Sequence, residues 1–503
     1  RDIGTIEKPD YLMTMHGMFW QVPATLAVDQ TAGIRPRSAY LKVIGDFTRW
    51  NNRLVFGCDD SAQREFLNKR SVKGGIEEPG QSNSNLWFTD LDVPDKLGST
   101  TAEGTVWLDE GVLANTPSEP FLLAGWSQRV VWFHNAGEQA VVFSLEVDPT
   151  GKGDWQFLQE VSVKSKSSQL VELVPNTPGE WIRVVSDKPT RATVHLFYTD
   201  DDNRSTQPDA IFAGLATADQ SEGIGGLLYG LGDNRRSLGI SVTHFDGADT
   251  QNEAYYELGS ALQLQAKDDQ ATQEFIDKKF AVPEQVITIE SSSVLIVDDQ
   301  GRRWRLPLGS EAFTSLTNQA ALRIDREVVT ERDLMNCHGT FYELPAENAD
   351  GFAKIRPISS HNFRIHDYAS YRGLLVMTGI NPDANLKNEH VIVSEDRKAA
   401  VWVGVIDDLW KLGKPTGRGG PWKDTSVSAG EPSDPYLIAF YDQRSLELSH
   451  QYNQPVTFTI EVESVGPGPW MVYQEVTIAP GETFKYNFPT HYPFSESVDS
   501  FSQ

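Results

Sequence analysis

The chain has only two cysteines in 503 residues, Cys58 and Cys337, and neither sits in the close spacing that a zinc knuckle or a dithiol redox pair requires. Whether the two pair is left open by the sequence. Helical patterning is equally scarce, confined to Ala62 to Arg70 and Ala271 to Phe280. No apolar run approaches the length of a helical membrane span. Basic residues are in short supply, 44 Lys and Arg against 70 Asp and Glu, for a formal charge of −26. Such a surface repels phosphate backbones and anionic lipid, so neither nucleic acid nor membrane is expected as a partner. A Ser-His-Asp elbow, a P-loop and a zinc signature are all missing.

What is present is core material. Hydrophobic residues make up 39% and aromatics 10%, with 13 Trp, which excludes disorder. The first residue, Arg1, reads as a processed mature N-terminus, and Asn203-Arg204-Ser205 is a glycosylation sequon; together they predict a secreted, extracellular protein, expected to be a monomer.

The chain also contains an internal duplication. His16-Gly17-Met18-Phe19-Trp20-Gln21-Val22-Pro23 returns 322 positions later as His338-Gly339-Thr340-Phe341-Tyr342-Glu343-Leu344-Pro345. Ile34-Arg35-Pro36 then answers Ile355-Arg356-Pro357, and Ile44-Gly45-Asp46-Phe47 answers Ile365-His366-Asp367-Tyr368. At an offset of 315, Pro117 to Leu122 matches Pro432 to Leu437, Val142 to Val147 matches Thr457 to Val462, and Trp155 matches Trp470. Only loops have changed length between the copies. These segments alternate β-branched or aromatic residues with polar ones and end in Gly-bearing turns, the pattern of strands, and Ser293 to Trp304 reads as a hairpin. The fold expected is all-β: one seven-bladed β-propeller over residues 1–503, with duplicated blade sets at 16–161 and 338–476. Two tandem sandwiches are the rival, but they leave roughly residues 205 to 335 without an account.

The strings Gly57-Cys58-Asp59-Asp60-Ser61, Glu65 to Arg70, Gly80 to Phe88 and Asp408 to Pro415 resemble those of seven-bladed propeller enzymes acting on L-rhamnose-α-1,4-D-glucuronic acid. These are the rhamnose-glucuronate lyases of polysaccharide lyase family 42 and the α-L-rhamnosidases of glycoside hydrolase family 145; ulvan lyases are more distant. The resemblance implies an enzyme on an acidic plant or algal polysaccharide such as arabinogalactan or gum arabic. Its first form is an exo-acting lyase that releases terminal rhamnose, its second a rhamnosidase, and its third a non-catalytic carbohydrate-binding propeller. No cofactor is required, the metal content is unknown, and a structural Ca²⁺ follows only by analogy.

Elimination beside a uronate needs a base, an acid and a cation on the carboxylate, for which His, Tyr and Arg are suited. The candidates are His361, His16, His338 and Tyr40 for proton transfer, with Arg35, Arg37, Arg356 and Arg364 as the local positive charge. The resemblance carries a working histidine near the mature N-terminus onto His16, which makes His338 its structural twin. At least two of the arginines are expected to converge with a histidine on one cleft. Trp20, Trp87, Trp126 and Trp422 are candidate sugar platforms, and His244 reads as a core histidine.

Overall fold

The computed structural model describes residues 1–58, 85–175, 177–230, 237–247, 249–282, 286–319, 322–329, 332–345, 350–383, 387–463, 470–488 and 495–502. The expected helix at Ala62 to Arg70 and the resemblance strings between Asp59 and Ser84 lie outside them. The chain is all-β, 48% strand against 7% helix, and its strand pairing is antiparallel throughout the named sheets.

Six small sheets have strands that run mainly back and forth in chain order. The first is Tyr11–Met15, Met18–Val22 and Arg35–Ala39; the second is Ile44–Trp50, Arg53–Cys58 and Asn85–Thr89. Four more occupy 222–266, 288–306, 325–360 and 368–404. The stretch from Thr101 to Thr199 is built differently. Its eight strands switch between two four-stranded sheets, one containing Gln128–Asn135 and Thr190–Thr199, the other Val141–Asp148 and Trp181–Ser186. Period-two burial shows why: Phe143, Leu145 and Val147 are inside while Val142, Ser144 and Glu146 alternate outward, so a second sheet must cover the apolar side. Helices are few, Gln270–Lys279 where expected and, in addition, Ala312–Gln319.

The duplication survives down to the hydrogen-bond register. Met18 faces Ala39 and Trp20 faces Pro36 across a register shift, and Thr340 faces Ser360 and Tyr342 faces Pro357 across the same shift. After each ladder the chain returns alike, Tyr40 N–H to Gly17 C=O at 2.7 Å and His361 N–H to Gly339 C=O at 2.8 Å. In the later segment the bulge after Leu145 recurs after Ile460. His16-Gly17 and His338-Gly339 are two-residue hairpin turns with φ of 50° and 71°, and 49° and 82°. Both central residues need the left-handed region, which explains the repeated glycine.

One continuous core runs from Ile3 to Leu412, and smaller ones gather around Tyr342 and Tyr441 and around Phe458. The main core also encloses a charge cluster. Asp367, fully buried, accepts hydrogen bonds from Arg323 Nε and Arg326 Nη1, each at 3.0 Å, and from the Leu228 N–H at 2.9 Å. Its first-copy counterpart, Asp46, is exposed and pairs with Arg1. Cys58 and Cys337 are buried in different cores and form no disulfide, and burial pushes the Cys337 thiol up to about 12.

Candidate functional site

The structure separates the histidines by environment. His16 is exposed at the tip of its turn. His338 is buried; its Nδ1 accepts the Gly309 N–H at 2.9 Å, which puts the ring proton on Nε2, 3.2 Å from Thr314 Oγ1. His361 is held alike, with Nδ1 accepting the Phe363 N–H and Nε2 donating to Asn336 Oδ1, both at 3.1 Å. Burial brings His338 down to about 4 and His361 to about 3, so both rings are neutral at pH 7 with both nitrogens engaged. Tyr40 is a core aromatic, 4.7 Å from Phe19 between ring centroids. His244 is half-buried, its Nε2 2.8 Å from the Lys398 C=O.

These depressed values have a consequence for stability. The unfolded chain takes up protons on these rings near pH 6.5, whereas the folded chain does so only near pH 3 to 4. Between those limits the unfolded state binds more protons, so stability falls as pH drops from about 6.5 to 4. His195 and His366, also brought down to about 4 by burial, act in the same direction. Urea midpoints are expected to fall over that window, and less steeply in a His338→Gln/His361→Gln variant. A midpoint that does not move between pH 6.5 and 4 contradicts this assignment.

The arginines do not converge. Arg35 is clamped by Glu180 through two contacts of 2.8 and 2.7 Å, and the same carboxylate takes the Gly33 N–H at 2.8 Å. Arg37 divides between Asp95 and Asp10. Arg364 is buried, 3.6 Å from the Phe245 ring centroid, with Nη2 donating to the Gly247 C=O at 2.8 Å; burial lowers it to about 10. Arg356 makes one hydrogen bond among the described residues, Nη2 to Glu343 at 2.6 Å, and of the four it alone borders the cleft described next.

That cleft, about 630 Å³ including solvent at its mouth, is lined by both duplicated segments and by the stretch after the first. Thr101 and Gln128 come from the first, Phe197 and Asp200 to Asp202 from the chain that follows it, and Arg356, Pro357, Phe440, Tyr441, Asp442 and Arg444 from the second. Trp410 forms the floor, with the guanidinium of Arg204 5.0 Å and that of Arg356 5.8 Å from its ring. Its indole N–H donates to buried Asp407 at 3.0 Å, and Asp407 also takes the Leu41 and Lys42 N–H groups. Burial raises Asp407 to about 6. An added carbon at Gly98 would stand 2.6 Å from the indole, so the glycine lets the chain lie against this floor.

The cleft's carboxylates differ in how far they are committed. Asp202 pairs with Arg204 at 2.7 Å. Asp200 accepts from Ser127 N–H and Oγ and from Thr100 Oγ1. Asp201 is exposed and takes one hydrogen bond, from Gln128, while Asp442 pairs with Lys414 at 2.5 Å. Among the described residues, three guanidiniums against four aspartates leave the lining near neutral, so selectivity here must come from directed hydrogen bonds rather than from a broad field. Among the described residues no histidine lines the cleft.

Trp20 and Trp126 are buried against each other, 5.8 Å apart, Trp87 is half-buried against the main core, and Trp422 packs beside a smaller core. Sequence reasoning passed over Asp200 to Asp202, Arg204, Trp410 and Phe440 to Arg444. One signal was available. Carried seven residues further, the 315-offset match aligns Leu123-Ala124-Gly125-Trp126-Ser127-Gln128-Arg129 with Ile438-Ala439-Phe440-Tyr441-Asp442-Gln443-Arg444, and three of its differences, Phe for Gly, Tyr for Trp and Asp for Ser, fall in the cleft.

Among the described residues no group of three or more His, Cys, Asp or Glu is placed to hold a metal ion, and no helix is long and apolar enough to cross a membrane. No protein-family model matches the chain, and no curated protein matches it. A solved structure titled "Crystal structure of PirA" aligns with 20% of this chain and 92% of its own at 14% identity, with a TM-score of 0.14, a likeness too slight to bear on fold or function.

Proposed function

We propose that this chain is a secreted carbohydrate-active enzyme that cleaves the bond between terminal L-rhamnose and D-glucuronate in an acidic plant or algal polysaccharide, and that the cleft over Trp410 is where it does so. The observation that carries the reading is the composition of this cleft: three guanidiniums, an aromatic floor and four aspartates meet in it. Arginine supplies the planar donors a sugar carboxylate accepts, and aspartates supply proton transfer. The choice of sugars rests on the sequence resemblance.

Hydrolysis is the first reading of the reaction, because among the described residues the cleft presents carboxylates and no histidine. One aspartate, protonated, would give its proton to the departing glucuronate oxygen while another activates water or attacks the rhamnose carbon. Asp201 and Asp442 are assigned these parts as the less committed pair: Asp201 takes one hydrogen bond and Asp442 one ion pair, to Lys414, whereas Asp200 is occupied by three hydrogen bonds and both oxygens of Asp202 by Arg204. Elimination is the second reading, favoured by Tyr441 in the same lining as Arg356. It ranks lower because burial holds the Tyr441 phenol well above its usual range, which makes it a poor base at neutral pH. The seven-bladed ring implied by the resemblance belongs to this proposal, with the back-and-forth sheets as its blades; an experimental structure in which they share no axis removes it.

Purified protein incubated with gum arabic is expected to liberate free rhamnose, measured by chromatography. Retention of the polysaccharide on the protein without any release would leave the binding-module reading instead.

A further inference from the structure

We infer that Phe440 is a positioning residue, a wedge that holds the cleft open at the place where the first copy of the duplication is closed. Its first-copy counterpart is Gly125, fixed by the match on both sides: the Leu173 N–H donates to the Arg129 C=O and the Phe488 N–H to the Arg444 C=O, each pair 315 positions apart. Gly125 sits at φ 104°, and a carbon added to it would stand 2.3 Å from Pro36 Cδ and 3.2 Å from Arg35 Cδ. The first-copy loop therefore lies directly on Pro36 because it ends in glycine, and Leu123 and Ala124 are pinned there through their N–H groups to the Glu180 C=O.

At the second-copy position the same contact is sterically closed to phenylalanine. Phe440 keeps a left-handed φ of 66°, which a bulky side chain adopts only at a cost, and its ring reaches instead toward Phe197 at 6.4 Å. Phe440, Phe197, Arg356 and Pro357 all line the resulting space. Strain retained at one wall of a cleft, with an unstrained and closed twin in the same chain, points to the opening as the feature that is kept. Its functional consequence rests on the cleft being the working site.

The test compares wild type with Phe440→Gly and Phe440→Leu by crystal structure, and by calorimetry with a rhamnosyl-glucuronate disaccharide as the probe. Phe440→Gly should let the loop settle on Pro357 as Gly125 does on Pro36, shrink the cleft, and weaken probe binding about tenfold or more. Phe440→Leu, which keeps bulk at the wall, should retain the cleft and most of the affinity. A Phe440→Gly structure with the cleft unchanged overturns the inference; so does an equal loss in both variants with both folded. If Phe440→Gly closes the cleft but wild type never binds the probe, the wedge stands and the proposed function falls. Should Phe440→Gly fail to fold, a cleft that collapses in the Phe440→Leu structure is what overturns it, and an open one supports it.

Discussion

Asp201→Asn and Asp442→Asn are each expected to lower kcat for rhamnose release by 10²- to 10⁴-fold with the protein still folded, the usual cost of removing a proton-transfer group. KM should change little. Asp202→Asn is expected to behave in the opposite way, because Asp202 acts on Arg204 rather than on the reacting bond: Arg204 donates to it through Nε and Nη2 and through Nη1 to the Ile358 C=O. Loosening that guanidinium should raise KM and leave kcat within a few-fold. Steady-state kinetics on the three variants, with circular dichroism to verify folding, separates the roles. If Asp201→Asn and Asp442→Asn both turn over at the wild-type rate, hydrolysis by these carboxylates is wrong.

Asp367→Asn is expected to destabilise the protein by about 3–5 kcal/mol, since it leaves Arg323 and Arg326 beside an uncharged group in the interior. The same substitution at Asp46, its counterpart in the first copy, should cost less than about 1 kcal/mol, because that carboxylate is 63% exposed and its partner Arg1 55%. The contrast is the useful quantity: residue type and place in the repeat are the same, while burial and the number of charged partners differ. Urea unfolding of both variants measures it, and equal midpoints would show that the buried cluster is not a stabilising unit.

Much of the architecture was legible because it is local. The hairpin at Ser293 to Trp304 appears as Val294–Val297 and Arg303–Leu306, and the helix at Ala271 to Phe280 as Gln270–Lys279, because alternation and helical periodicity are fixed by near neighbours. The duplication was legible for a different reason, since matched strings fold to matched registers. The paired strands and the bulges at Leu145 and Ile460 show this directly. The exchange of strands between two sheets from Thr101 to Thr199 was not legible, because period-two burial states that a face is covered and not by which strand.

The cleft was harder still. Its residues come from Ser99 to Thr101, Gln128, Phe197 to Arg204, Arg356, Trp410 and Phe440 to Arg444, brought together only by tertiary packing. The histidine and arginine candidates were chosen for their chemistry, but position decided otherwise. His338 and His361 spend both nitrogens on fixed partners, and Arg35 on Glu180. Arg356 differs from Arg35 in its partner, for it pairs with Glu343 on the neighbouring strand of its own sheet, whereas Arg35 is held by Glu180.

The most direct measurement of the central claim is the fate of solvent oxygen when the protein acts on a rhamnosyl-glucuronate disaccharide in ¹⁸O-labelled water, read by mass spectrometry of both products. The account predicts free rhamnose, one ¹⁸O in its anomeric hydroxyl, and an ordinary saturated glucuronate. Unlabelled rhamnose together with an ultraviolet-absorbing unsaturated uronate would contradict hydrolysis in favour of elimination, and no rhamnose at all would contradict the enzyme.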